Sequence, residues 1–198
     1  LETWLNTEPS RWPGQLLLAD IYRATGAEAR ASALERAAEG KAPDTAEAWR
    51  LKGLIAYKQL EAVRCFDRAL ELDPAHYGAL LGRAAAHLNL RDYPAASADA
   101  ERAIVARPRS PRGRCILAQV HAYGFHDIKR ALEEYDKAIA GFDFFLSRFP
   151  KSQFVPHALY FTADAFYFKG YVSRAIESYF EAYNLAQSDR LIRLIEKY

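Results

Sequence analysis

Small and aromatic residues recur along this chain at helical spacing. Ala62, Phe66 and Ala69 stand four and then three residues apart, and the same offsets return at Ala131, Tyr135, Ala138 and at Ala175, Tyr179, Ala182. Residues at i, i+4 and i+7 share one helix face, so each set predicts an α-helix whose apolar stripe carries one ring between two alanines. Small residues at such places let helices approach closely, while Trp49 and Phe66 fill the space toward the next pair. Pro9, Pro43, Pro74, Pro108 and Pro150 punctuate this pattern at intervals of 34, 31, 34 and 42 residues. A helix-stopping proline at a nearly fixed period of this length marks a two-helix repeat that buries its apolar face against its neighbours.

The frame predicts an all-α chain of about eleven helices without strands, an α-solenoid of antiparallel helix pairs. Read as a single unit over 1–198, it comprises a partial helix at 1–9 and repeats at approximately 12–45, 46–76, 77–110, 111–152 and 156–187. Ser188 is expected to cap an end helix at 188–198. Asp44, Thr45 and Glu47 supply capping oxygens and first-turn negative charge ahead of Trp49. Two repeats depart from the period. The second lacks a Gly-containing turn where "YKQ" meets "LEAVRCF", so a break in the chain is expected between Gln59 and Leu60. The fourth keeps Ala138, Phe142, Phe145 and Phe149 on one face, which predicts a lengthened second helix, with a skipped loop near Gly141 as the alternative.

Charge narrows the picture little. With 27 basic and 25 acidic residues the net charge is +2, too small to argue for nucleic acid or an anionic membrane. No run reaches the roughly 18 to 20 apolar residues needed to span a bilayer, and no transmembrane segment is expected. The absence of methionine and the start at Leu1 in mid-helix pattern lead us to expect a piece of a longer protein. Cys65 and Cys115 fall in helices of different repeats, where a thiol serves as a small apolar residue, and no disulfide is expected.

Catalytic motifs do not emerge. The sequence has no Gly-rich phosphate loop, Cys-x-x-Cys pair, His-Glu-x-x-His helix or Gly-x-Ser-x-Gly elbow. His76, His87, His121, His126 and His157 are scattered, and His121 and His126, five apart, share no helical face. Asp20, Glu134 and Asp164 read as solvated or groove-lining carboxylates. No enzyme activity, metal or cofactor is expected. One charge cluster stands out: Arg107, Arg109, Arg112 and Arg114 in "RPRSPRGR" form a candidate patch for an anionic polymer, phospholipid head group or acidic partner. No aromatic interrupts that run, so no nucleic acid is expected.

Ala46, Trp49, Gly53, Tyr57, Ala62, Phe66, Ala69 and Pro74 together resemble the tetratricopeptide repeat, although Lys52 holds a leucine position and Tyr57 falls one residue late. The resemblance implies a right-handed superhelix whose first helices line a concave groove. Carried onto this chain, the groove residues are Arg50, Leu54, Tyr57, Leu81, Leu88, Asn89, Arg112, Gln119, Tyr160, Asp164 and Tyr167. Chaperone-tail-binding members clamp a terminal carboxylate with lysine and asparagines. The corresponding positions here, Arg50, Leu54, Gly82, Arg112 and Ile116, retain only the arginines, so an apolar or amphipathic peptide is the expected ligand. Residues 145–179 are similar to repeats of bacterial envelope proteins, among them outer-membrane assembly lipoproteins. The implied function is a non-catalytic scaffold for protein partners in an envelope assembly or secretion system, periplasmic or outer-membrane-associated, with the cytoplasm as the alternative location. The alternative function is a regulatory or substrate-recruiting segment of a larger enzyme.

Overall fold

The computed structural model describes residues 11–39, 43–56 and 58–195. Among these residues every regular element is helical and no strand occurs. Ten helices follow in order: α1 (Trp12–Ala24), α2 (Glu28–Glu39), α3 (Ala46–Ile55), α4 (Gln59–Leu72), α5 (Tyr77–Asn89), α6 (Tyr93–Ala106), α7 (Pro111–Tyr123), α8 (Ile128–Arg148), α9 (Val155–Phe168) and α10 (Val172–Ile195). The predicted partial helix at 1–9, the groove residue Tyr57, the side chain of Asp20 and the tail at 196–198 lie outside what is described.

Successive helices pair as α1/α2, α3/α4, α5/α6, α7/α8 and α9/α10, in the register the prolines set. Contacts gather them into two compact units divided between Ala106 and Arg107. The first holds α1 to α6 and the second α7 to α10. Within each, first helices adjoin first helices: α1 meets α3, α3 meets α5, and α7 meets α9. The fold is that of an α-solenoid.

Local chemistry explains where helices start and stop. The Thr45 hydroxyl accepts from the Ala48 amide at 3.2 Å and caps α3, and the Asp127 carboxylate caps α8 through Arg130 N–H at 3.1 Å. Pro111 and Pro156 sit in the first turns of α7 and α9, where a missing N–H costs nothing. Three hairpins turn on one device. Gly26, Arg91 and Gly170 take left-handed φ of 80°, 61° and 79°, and the following amide donates five residues back, as in Ala27 N–H to Tyr22 O and Asp92 N–H to His87 O. In the α7/α8 turn the left-handed residue is His126, not Gly124, which stays right-handed.

Two sequence expectations are corrected. The chain runs through Gln59 and Leu60 as the first residues of α4, and α3 is joined to it by residues 56–58 alone. No separate end helix begins at Ser188. α10 continues through it to Ile195, because 184–192 contains neither glycine nor proline to stop a helix. The lengthened helix of the fourth repeat is present as the 21-residue α8, unbroken at Gly141.

The first unit packs one large ring between small residues. Phe66 is 2% exposed, and a Cβ built on Gly53 or Gly82 would stand 2.7 or 2.4 Å from its ring. Helices α3 and α5 can therefore close on Phe66 only because both positions lack a side chain. In the second unit Tyr135 lies between Ala118 and Ala165 in the same manner, and its ring stacks on Phe168 at 5.3 Å.

Candidate functional site

In the first unit the predicted groove residues scatter in character. Arg50 donates to both oxygens of Glu47 at 2.7 and 2.6 Å, and its stem crosses to α5 where it fills the space beside Gly78. It is a strut between first helices, with its pKa raised by Glu47. Leu54 and Asn89 are exposed and Leu88 is partly buried. Leu81, expected in the groove, is buried at 4% exposure. α5 is packed on α3, α4 and α6 at once, so Leu80 and Leu81 both face interior although they point to adjacent sides of the helix. A network the sequence reading missed joins this unit: the Arg83 guanidinium donates to both oxygens of Asp99 at 2.7 Å and to Asp67 at 2.6 Å. Asp99 is buried, and these bonds tie α5 to α4 and α6.

The candidate basic patch does not converge. Arg114 turns to Glu134 at 3.0 Å, and Lys137 reaches the same carboxylate at 2.5 Å. These contacts hold Glu134 below its usual range against the opposing effect of burial. Arg112 stands 4.9 Å over the Phe161 ring. Arg107 and Arg109 are exposed on the turn, and Arg109 edges an open cleft of about 520 Å³ with Arg114, Lys137 and Phe144. An anion-gripping cluster is not supported, because two of the four arginines spend their charge within the fold.

The second unit brings its predicted residues together. Tyr160, Asp164 and Tyr167 stand at i, i+4 and i+7 on α9, on one face. Tyr160 is 51% and Tyr167 58% exposed, while Asp164 between them is partly buried. On α7, Arg112 lies over the Phe161 ring, the buried Cys115 packs in one cluster with Ala158 and Phe161, and Gln119 is partly buried. Ring contacts knit this part of the unit. Tyr160 meets Phe161 edge-on at 5.7 Å and Tyr179 of α10 at 5.5 Å, and Tyr167 meets Phe168 at 5.9 Å.

Asp164 accepts a hydrogen bond from the Tyr179 hydroxyl, a partner the sequence reading did not assign. The signal was the register: Tyr179 holds the second-helix place of Phe66 and Tyr135. Burial pushes the Asp164 carboxyl above its ordinary value, with the Tyr179 bond acting the other way. Burial and then the Asp164 charge raise the Cys115 thiol to about 12, which makes it an inert apolar filler and not a nucleophile. The buried Tyr135 hydroxyl has no hydrogen-bond partner among the described residues, and its ionisation is suppressed by burial and by the nearby Cys115, Tyr123 and Asp164. Among the described residues no group of three or more His, Cys, Asp or Glu is placed to hold a metal, and no helix is long and apolar enough to cross a membrane.

Residues 60–122 match the tetratricopeptide repeat family. Solved structures share the fold over most of the chain. TTC0263, a thermophilic protein of these repeats from Thermus thermophilus, is 17% identical, covers 92% of this chain and 95% of its own, and superposes with a TM-score of 0.59. The protein MamA is 18% identical over 85% of this chain and 87% of its own at a TM-score of 0.52. PilW, a widely conserved type IV pilus biogenesis factor, is 23% identical over 89% and 79% at 0.50. No curated protein matches the sequence. The sequence likeness to tetratricopeptide repeats covers residues 60–122, and over the rest of the chain the likeness is one of fold.

Proposed function

We propose that this chain is a protein–protein interaction scaffold and that its second unit is the partner-binding element, with the α7/α9 face as the docking surface for a peptide segment of another protein. The observation that carries this reading is the exposure of Tyr160 and Tyr167 on either side of a half-buried Asp164. Rings that are exposed in the free protein and fixed on a rigid helix bury large area at small entropic cost when a partner arrives, so they act as anchors. Such a scaffold belongs to an assembly of several proteins. The similarity of residues 145–179 to repeats of bacterial envelope proteins supports a periplasmic or outer-membrane setting.

Affinity capture from the native organism tests this, with the assembly first stabilised by cross-linking. Tyr160→Ala and Tyr167→Ala are each expected to weaken the captured partner by more than about 1 kcal/mol. Arg109→Ala should leave binding intact at moderate salt. Retention of every partner by the double tyrosine variant, with loss in the arginine variant, would move the site to the turn. Cell fractionation tests the envelope setting independently, and recovery only with cytoplasmic markers would refute it.

A further inference from the structure

Resting on the docking surface just described, we infer that Asp164 and the tyrosines around it form a receptor for a basic side chain, lysine or arginine, on the partner segment. A carboxylate taken partly out of water needs compensation, and an ionised one has acceptor capacity for about four hydrogen bonds. Here one donor is recorded, the Tyr179 hydroxyl. Among the described residues no lysine, arginine or histidine forms an ion pair with Asp164.

Three cations of the same unit are committed elsewhere. Arg112 lies on the Phe161 ring at 4.9 Å, Lys169 is bound to Asp136, and Arg174 stands 5.8 Å over the rings of Phe166 and Tyr171. The fold thus leaves a negative charge unmatched at the centre of its exposed aromatic face.

The rings select the sign of what completes it. Aromatic faces carry negative partial charge and attract cations, and the effect grows as water is excluded. Tyr160 and Tyr167 stand one turn to either side of Asp164, where the alkyl stem of lysine or arginine can lie against a ring while its head reaches the carboxylate. An acidic or C-terminal carboxylate ligand meets repulsion at the same point. This polarity is the reverse of the terminal-carboxylate clamp, whose residues the chain lacks.

The test is selection of a displayed library of random dodecapeptides on the full chain, followed by titration of the recovered peptides. Recovered sequences are expected to share one lysine or arginine flanked by apolar residues. Replacing that residue in the synthetic peptide by norleucine, which keeps the stem and removes the charge, should weaken binding at least tenfold. In Asp164→Asn the lysine and norleucine peptides should bind alike. The peptide-side change leaves the protein unaltered, so it reads the charge even where the protein variant folds poorly. Peptides that bind through Tyr160 and Tyr167 without a preferred basic residue, or an undiminished lysine preference in Asp164→Asn, would overturn the inference and leave the docking surface standing. Recovery of no peptide sensitive to those tyrosines would overturn both.

Discussion

The two units share a repeat frame and fill it with different chemistry. Residues up to 106 close their helices with alanines, the Gly53–Phe66–Gly82 sandwich and the Arg83 network. Residues from 107 carry ten of the eleven phenylalanines and stack rings in series, Tyr135 on Phe168 and Phe142 on Phe161. Packing alone does not call for that many rings. Phe144, Phe149, Phe154, Tyr160, Tyr167, Phe180 and Tyr183 are each more than half exposed, while no exposed large hydrophobic among the described residues of the first unit is aromatic. The difference separates a part that is optimised for closure from a part that holds apolar area in reserve for contact.

The sharpest way to break this comparison is at Phe66. Phe66→Ala empties the space between two glycines that cannot fill it, and we expect a loss of about 3–5 kcal/mol in urea unfolding. Tyr160→Ala, at an exposed ring, should cost well under about 1 kcal/mol by the same measurement. Equal losses would erase the distinction between closure and reserve. Arg83→Met comes next. It strands the buried Asp99 with only the 3.5 Å contact to Arg102, and a loss of about 3 kcal/mol is expected because an uncompensated charge remains inside. A near-neutral result in chemical denaturation would mean that water already solvates Asp99.

The smallest effect concerns pH. Arg50 holds Glu47 below its ordinary 4.5, so that pair contributes stability above the unfolded value and loses it as pH falls through the folded one. Asp164 has the opposite sign. Its raised pKa gives a contribution that is present below the ordinary 3.8 and is lost as pH rises through the folded value. Asp164→Asn should therefore raise Tm at neutral pH, with the gain vanishing as pH falls below the ordinary 3.8. A constant gain across that range would assign the effect to something other than the carboxyl charge.

Much of the architecture was legible because periodicity is local. The prolines and the Ala–ring–Ala sets place all five helix pairs, since a helix face and a helix stop are written in a few adjacent residues. Legibility failed where a neighbour decides. Leu81 reads as a groove residue on its own helix, and only the simultaneous packing of α5 on α3, α4 and α6 buries it. The run of arginines at 107–114 reads as one patch, yet Glu134 and the Phe161 ring, both distant in sequence, draw two of them away. Of the candidate site, Tyr160, Asp164 and Tyr167 came from the resemblance to tetratricopeptide repeats, and their spacing on α9 puts the three on one face. For the Tyr179 hydroxyl the repeat register placed the ring with Phe66 and Tyr135, but the bond to Asp164 joins two helices and is not written in either one alone.

The division of the chain also splits its light emission. All three tryptophans, Trp4, Trp12 and Trp49, precede residue 107. Trp12 is 5% exposed, and the Trp49 indole donates to Asp44 at 2.6 Å beneath Lys52, whose ammonium stands 4.1 Å from the ring. Indole fluorescence excited at the red edge of the band is therefore a native beacon for the first unit, and the tyrosine-rich second unit is dark to it. Followed beside far-ultraviolet circular dichroism, which sees every helix, the same denaturation records one unit against the whole without any label being attached.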